Sequence, residues 1–281
     1  MKKILPLLFG LVTSLSFSSC SSASFDGKLV IGLECDYVPF NWTETEPNEY
    51  TLKVFNKTNL YCDGYDVQIA KILGRELNME VIIMQTPWTA LVSDLQMGTI
   101  NAIIAGMTDT EERRESISFT NEYYRSELVL IVSKDISNQY EGQTLTENQF
   151  RTLVNGKHIV SQESTVTDDV IEIFEQTYGA IHSQPLESFS FAATDVSIGS
   201  VFAMTAELPV AQSICASFTN LGIIHIDQDI LGETQSELGV SIGINKNDTE
   251  LKDKINNVLA TITNEERVRL MSEAITRSTQ E

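Results

Sequence analysis

The chain is short of positive charge: 19 lysines and arginines stand against 39 aspartates and glutamates, a formal net of −20 over 281 residues. A surface of that sign repels the phosphate backbone and removes the electrostatic contact that sustains nucleic-acid binding, so no nucleic-acid partner is expected. Histidine is scarcer still. His158, His182 and His225 are scattered, no C-x-x-C occurs, and no His/Cys group has zinc spacing, so neither a metal nor another cofactor is expected. Beyond residue 20 no apolar run is long enough to cross a bilayer. Internal repeats are missing, and so are low-complexity tracts apart from a serine-rich stretch at 20–24. Core-forming residues are plentiful: 42% of the chain is hydrophobic, with 12 Phe, 8 Tyr and 2 Trp. That is too much for a disordered protein.

The first nineteen residues read as an address. Lys2 and Lys3 form a positive start, Ile4 to Val12 is apolar, and small serines lead up to Cys20. The segment resembles a bacterial lipoprotein signal, in which Cys20 is lipidated and residues 20–24 become a tether. An ordinary cleaved signal is the alternative. With Cys20 lipidated, Cys35, Cys62 and Cys215 remain, an odd number that leaves at least one free thiol in an exported protein. Whether Cys35 and Cys62 pair is left open.

Apolar patterning then alternates between strand and helix. Lys28 to Leu33 reads as a first strand, followed by a polar excursion in which Tyr50 to Phe55 alternates like a strand. Asp66 to Leu77 has helical spacing with Asp66 as its cap. Met79 to Met84 is a buried strand, Thr89 to Met97 a helix ended at Gly98, and Ala102 to Ala105 a short strand. Strands follow at 129–132, 158–161, 201–206 and 223–226, with helices at 168–176 and 250–262 and a closing helix from 263. The polar run from Ser137 to Gly156 reads as a surface connection. Such alternation predicts an α/β fold with mixed, mostly parallel sheets.

In open α/β sheets ligands sit beyond the carboxyl ends of strands. The residues there include Glu34 and Tyr37, then Gly106, Thr108 and Arg113, then Gln162 and Thr165, and finally Glu207. Trp88 precedes a helix nearby. A ligand α-carboxylate needs a guanidinium with backbone and hydroxyl donors, which Arg113, Gly106, Thr108 and Thr165 supply; an α-ammonium needs a carboxylate, which Glu207 supplies. Tyr37 and Trp88 offer flat walls. On spacing alone, however, Arg113 is a solvated residue at a charged helix start, and Glu207 beside Leu208-Pro209 is a helix cap.

The order of motifs resembles the family-3 bacterial extracellular solute-binding proteins, the polar amino-acid receptors of ABC importers. The matching segments are YVPFNW from Tyr37, GYDVQIAKIL from Gly64, ALVSDLQMGTINAIIAGMTDTEERRESISFTNEYY from Ala90 and LGVSIGINKNDTEL from Leu238. The resemblance implies a two-lobe periplasmic-binding-protein-like fold of type II. Lobe one takes 25–123 plus 236–281, lobe two takes 128–229, and hinge crossings lie near 123–127 and 229–235. Arg113, Thr108 and the Gly106 backbone are then expected to hold the carboxylate, with Tyr37 and Trp88 sandwiching the side chain. Glu34 is expected at the side-chain tip, Gln162 as a specificity residue from lobe two, and Glu207 at the ammonium, where the family usually has aspartate. Ser164 replaces a family glycine, and Phe202 stands where the family pattern has aspartate. The expected protein is a monomeric, lipid-anchored receptor outside the cytoplasm. It binds a free amino acid such as arginine, lysine or glutamine, delivers it to an ABC permease, and catalyses nothing. A sensory or adhesive lipoprotein and a dehydratase-like enzyme on the same scaffold are the alternatives.

Overall fold

The computed structural model describes residues 27–279. The expected signal segment, Cys20 and the expected tether lie outside the described residues. The chain begins with β1 (Lys28–Leu33), whose last five residues are buried. Four short strands follow, β2 (Asp36–Tyr37), β3 (Asn41–Glu44), β4 (Leu52–Lys53) and β5 (Tyr61–Asp63). Then come α1 (Tyr65–Leu77), β6 (Glu80–Gln85), α2 (Leu91–Met97), β7 (Ala102–Ile103), α3 (Glu111–Ser116) and β8 (Ser118–Arg125). The next stretch runs through β9 (Leu128–Ser133), α4 (Lys134–Ser137), β10 (Thr144–Leu145), α5 (Glu147–Val154), β11 (His158–Val160) and α6 (Val166–Tyr178). It continues with β12 (Ile181–His182), α7 (Phe189–Ser197), β13 (Ala203–Glu207), α8 (Leu208–Ser217) and β14 (Leu221–Ile226). The last elements are β15 (Gly239–Ile244), α9 (Thr249–Leu259) and α10 (Asn264–Ser278).

These build two principal sheets. The first has the order β6-β1-β7-β15-β8 and the second β10-β14-β9-β13-β11-β12, while β2-β3-β5-β4 form a small antiparallel sheet beside the first. β1 pairs in parallel with β6 and β7, whereas β15 runs antiparallel to β7 and β8. In the second sheet β9 runs antiparallel to β13 and β14. β9 and β15 are buried along almost their whole length, as strands covered on both sides must be.

The chain passes from the first sheet to the second between β8 and β9, and returns between β14 and β15. Gln228 ties the two crossings together. Its Oε1 accepts from Leu128 N–H (3.1 Å), and its Nε2 donates to the carbonyls of Leu128 (3.1 Å) and Ile226 (2.9 Å). The closing helix is anchored on the first lobe. Arg277, in the last turn of α10, makes a two-pronged bond to buried Asp63 (2.8 and 2.9 Å) and lies over the Tyr50 ring.

Three expectations change. Residues 137–156 are no surface connection: α5 buries Phe150, Leu153 and Val154, and Phe150 packs edge-on against Phe174 and Tyr178. Their i, i+3, i+4 spacing is one face of a helix. The strand expected over 50–55 shrinks to Leu52–Lys53, because Val54 turns inward to bridge β6 at Ile83 and Phe55 is left exposed. Asp66 does not cap α1. Gly64 holds the cap position, and the Asp66 carboxylate is buried, accepting from Asn41 Nδ2 (2.8 Å) and the Tyr123 hydroxyl (2.6 Å).

Candidate functional site

Glu34, Tyr37, Trp88, Gly106, Thr108, Arg113, Gln162, Thr165 and Glu207 all line one cleft between the two sheets, together with Val166, Thr167, Phe189 and Leu238. The first six come from the first lobe, Tyr37 from β2, Arg113 from α3 and the others from the segments between the strands and α-helices. Gln162 and Thr165 flank the turn between β11 and α6, and Glu207 ends β13. The lobes meet directly. Tyr37 Oη donates to Glu207 Oε2 (2.5 Å), Gln162 Nε2 donates to Glu34 Oε2 (3.1 Å), and Arg113 Nη2 and Trp88 Nε1 donate to the Ser164 carbonyl (2.8 and 3.2 Å). The cavity they enclose is about 20 Å³, little more than one water requires, so a larger solute enters only when the lobes part.

Hydrogen bonding decides which groups remain available. The Arg113 guanidinium lies over the Trp88 ring at 5.2 Å and bonds the Thr108 carbonyl (2.7 Å) and that of Ser164. The described bonds thereby use two of its five N–H groups. The Gly106 N–H, expected to meet a carboxylate, instead donates to the Tyr123 hydroxyl (2.9 Å), within the chain Cys35–Asn41–Asp66–Tyr123–Gly106 that lies behind the cleft. The Thr165 hydroxyl is likewise engaged, donating to the Gln162 carbonyl (2.7 Å) and capping α6 at Asp168 N–H (3.2 Å). At this end, the described bonds leave free the Thr108 hydroxyl and the first N–H groups of α6, those of Thr165, Val166 and Thr167. Such a helix start favours anions.

Tyr37 differs from its expected role too. Its ring is 4% exposed and stacks on Phe40 (5.1 Å) and Phe189 (4.9 Å), which leaves little face for a sandwich with Trp88. Glu207 is no helix cap: it occupies the cap position of α8, but its side chain makes no capping bond. Ser164 has φ 58°, the left-handed conformation that suits glycine, the family's usual residue there.

Burial raises the carboxyls of the cleft. Desolvation pushes Glu34 up to about 7, against the lowering effect of Gln162. Glu207 is also raised by desolvation, with the Tyr37 bond working against it. Neither forms an ion pair with a lysine, arginine or histidine among the described residues. Desolvation pulls the Arg113 guanidinium below its ordinary value, with Asp169, Glu112 and Asp109 opposing. At the Glu34 end, both Gln162 Nε2 hydrogens are used, on Glu34 and on the Glu187 carbonyl (2.9 Å). With Glu34 ionised, what remains there is acceptor only.

Asn41 and Tyr123, though inside the matching segments YVPFNW and FTNEYY, were not expected at the site, and neither was Phe189. Phe189 had one available signal, Ser188, a helix cap just ahead of an apolar run. Cys35 and Cys62 are both buried free thiols in contact with each other.

The model of the bacterial extracellular solute-binding proteins, family 3, matches residues 29–274. The chain belongs to this family. Within it, the chain is 24% identical over 273 residues to the histidine-binding periplasmic protein of Escherichia coli K12, spanning 92% of this chain and 91% of that protein. It is 26% identical to the arginine-binding extracellular protein ArtP of Bacillus subtilis over 140 residues, 48% of this chain and about half (49%) of that protein. A solved structure of the amino acid ABC transporter substrate-binding protein AbpA of Streptococcus pneumoniae, bound to L-arginine, superposes with a TM-score of 0.72 at 22% identity. The match covers 91% of this chain and 97% of that one. The likeness is one of fold: two α/β lobes with mixed sheets and a cleft between them. No helix among the described residues is long and apolar enough to cross a membrane.

Proposed function

We propose that this family-3 protein is an extracytoplasmic receptor that closes two lobes around a free amino acid, basic or polar with basic preferred, and hands it to an ABC import permease. The charge of the cleft carries this reading. Two buried carboxylates, Glu34 and Glu207, face a single half-buried guanidinium, Arg113. A basic amino acid brings one negative and two positive charges and neutralises the set, whereas glutamate would leave two uncompensated negative charges in a desolvated site, which is costly. The remaining N–H groups of Arg113, the Thr108 hydroxyl and the α6 N-terminus take the carboxylate. Glu207 takes the ammonium. Ionised Glu34 and the Gln162 amide oxygen, acceptors only, take a donor-rich tip.

Lobe one is assigned 25–123 with 236–281, lobe two 128–229, and the hinge the crossings near 123–127 and 229–235; the Gln228 clamp supports this division. The receptor is a monomer, and lipid on Cys20 keeps it at the membrane; the signal-like first twenty residues support the lipid anchor. The cleft binds and does not catalyse. One observation favours a dehydratase-like second reading: Glu34, raised to about 7, is tuned as a general acid would be. Turnover of a prephenate-like acid that Glu34→Gln abolishes would establish it.

Calorimetry of the mature protein with arginine, lysine, histidine, glutamine and glutamate tests the main reading. Arginine or lysine is expected to bind most tightly, with Glu34→Gln erasing their advantage over glutamine. Tightest binding of glutamate, or binding of none of the five, would sink it.

A further inference from the structure

We infer that Tyr37 is a positioning residue: its hydroxyl, carried by the first lobe, orients the ammonium-binding carboxylate of Glu207 on the second. This rests on the proposed assignment of Glu207 to the α-ammonium. The two side chains, 170 positions apart, meet at 2.5 Å between Tyr37 Oη and Glu207 Oε2, and both are buried, at 4% and 7% exposure. A bond from a hydroxyl to a carboxylate is among the stronger hydrogen bonds. It fixes Oε2 of Glu207, whose own backbone N–H also reaches the carboxylate, so the group is held in one orientation for the ligand.

Local structure frees Glu207 for this bond. The carboxylate stands at the start of α8, where it would ordinarily accept from the N–H of the second or third helical residue, yet it makes no capping bond, and Pro209 at the second position has no N–H to offer. Glutamate also has one more rotatable bond than the aspartate expected at this position, so its carboxylate needs an external constraint to stay aimed. Tyr37 is built to supply one. Its ring is stacked on Phe40 and Phe189, and a Cβ on Gly106 would lie 2.6 Å from Tyr37 Cε1, so the glycine gives the ring its place. Because the hydroxyl and carboxylate sit on different lobes, ammonium recognition is completed only on closure.

A double-mutant cycle on the mature protein tests this, with L-arginine and its desamino analogue 5-guanidinopentanoate as calorimetric probes. Tyr37→Phe keeps the ring and its stacking and removes only the hydroxyl. It is expected to weaken arginine by about tenfold and the desamino analogue by less than about twofold. Adding it to Glu207→Gln is expected to cost nothing further. Equal losses for the two probes, or losses that add in the double variant, would assign Tyr37 to the wall alone and overturn the inference. If Glu207→Gln itself leaves arginine binding intact, or arginine does not bind at all, the underlying reading of the cleft fails instead.

Discussion

Arg113 divides its donors between protein and cleft, bonding two backbone carbonyls while lying on the Trp88 ring. A lysine has no planar fork and no such stacking face. Arg113→Lys is therefore expected to weaken amino-acid binding by about a hundredfold or more, by calorimetry, without a comparable loss of thermal stability. Glu34 sets the pH response. Its carboxyl is raised to about 7 by burial, and only the ionised form attracts a cationic tip. Affinity for a basic ligand should thus fall as pH drops through about 7 and level off above it, while Glu34→Gln flattens the profile. A wild-type affinity flat between pH 6 and 8 would contradict the role given to Glu34.

Among the elements, the loop after β7 and the closing helix α10 carry distinct stresses. Gly106 has φ 61° and its missing Cβ is the space against which Tyr37 packs. Gly106→Ala combines a backbone penalty with an overpacked ring, and is expected to cost about 1–3 kcal/mol in denaturant unfolding. It should also weaken ligand binding, by displacing the Tyr37 hydroxyl. The pair of Arg277 and Asp63 ties α10 to the small sheet. The Asp63 side chain is only 2% exposed, so removing its partner strands a buried charge. Arg277→Met should destabilise the chain by about 3–5 kcal/mol, read from the shift in denaturant midpoint, with little effect on ligand affinity in the protein that remains folded.

For the molecule as a whole, stability and binding should respond to pH in opposite directions. Glu34 and Asp66 are both raised to about 7 by desolvation, so the folded chain holds their protons more tightly than the unfolded one. Their contribution to stability is complete below the ordinary carboxylate range and is lost as pH rises through about 7. The ligand-free protein should therefore lose melting temperature between pH 5 and 8, and a basic ligand should restore more of it at pH 8 than at pH 5. Lobe closure itself should appear in solution scattering as a smaller radius of gyration on adding ligand, with the shift reduced when Gln228→Ala loosens the crossings.

Local signals in the chain were enough to place most strands and helices, while the resemblance to the family singled out the nine residues that converge on the cleft. Each depends on spacing or on short motifs, such as the run from Ala105 to Arg113. The amphipathic face of α5 was equally local, but it lay hidden in a polar stretch. Only the tertiary structure decided which of those nine residues are free to bind. The Gly106 N–H, the Thr165 hydroxyl and the Tyr37 ring are all engaged by protein partners, and the Asp66 carboxylate is buried in a network with Asn41 and Tyr123. The physical reason is that a donor, an acceptor or an aromatic face is claimed by whatever folding brings against it. Residues such as Tyr123 and Phe189 are remote in sequence from the groups they claim, beyond the reach of any local pattern.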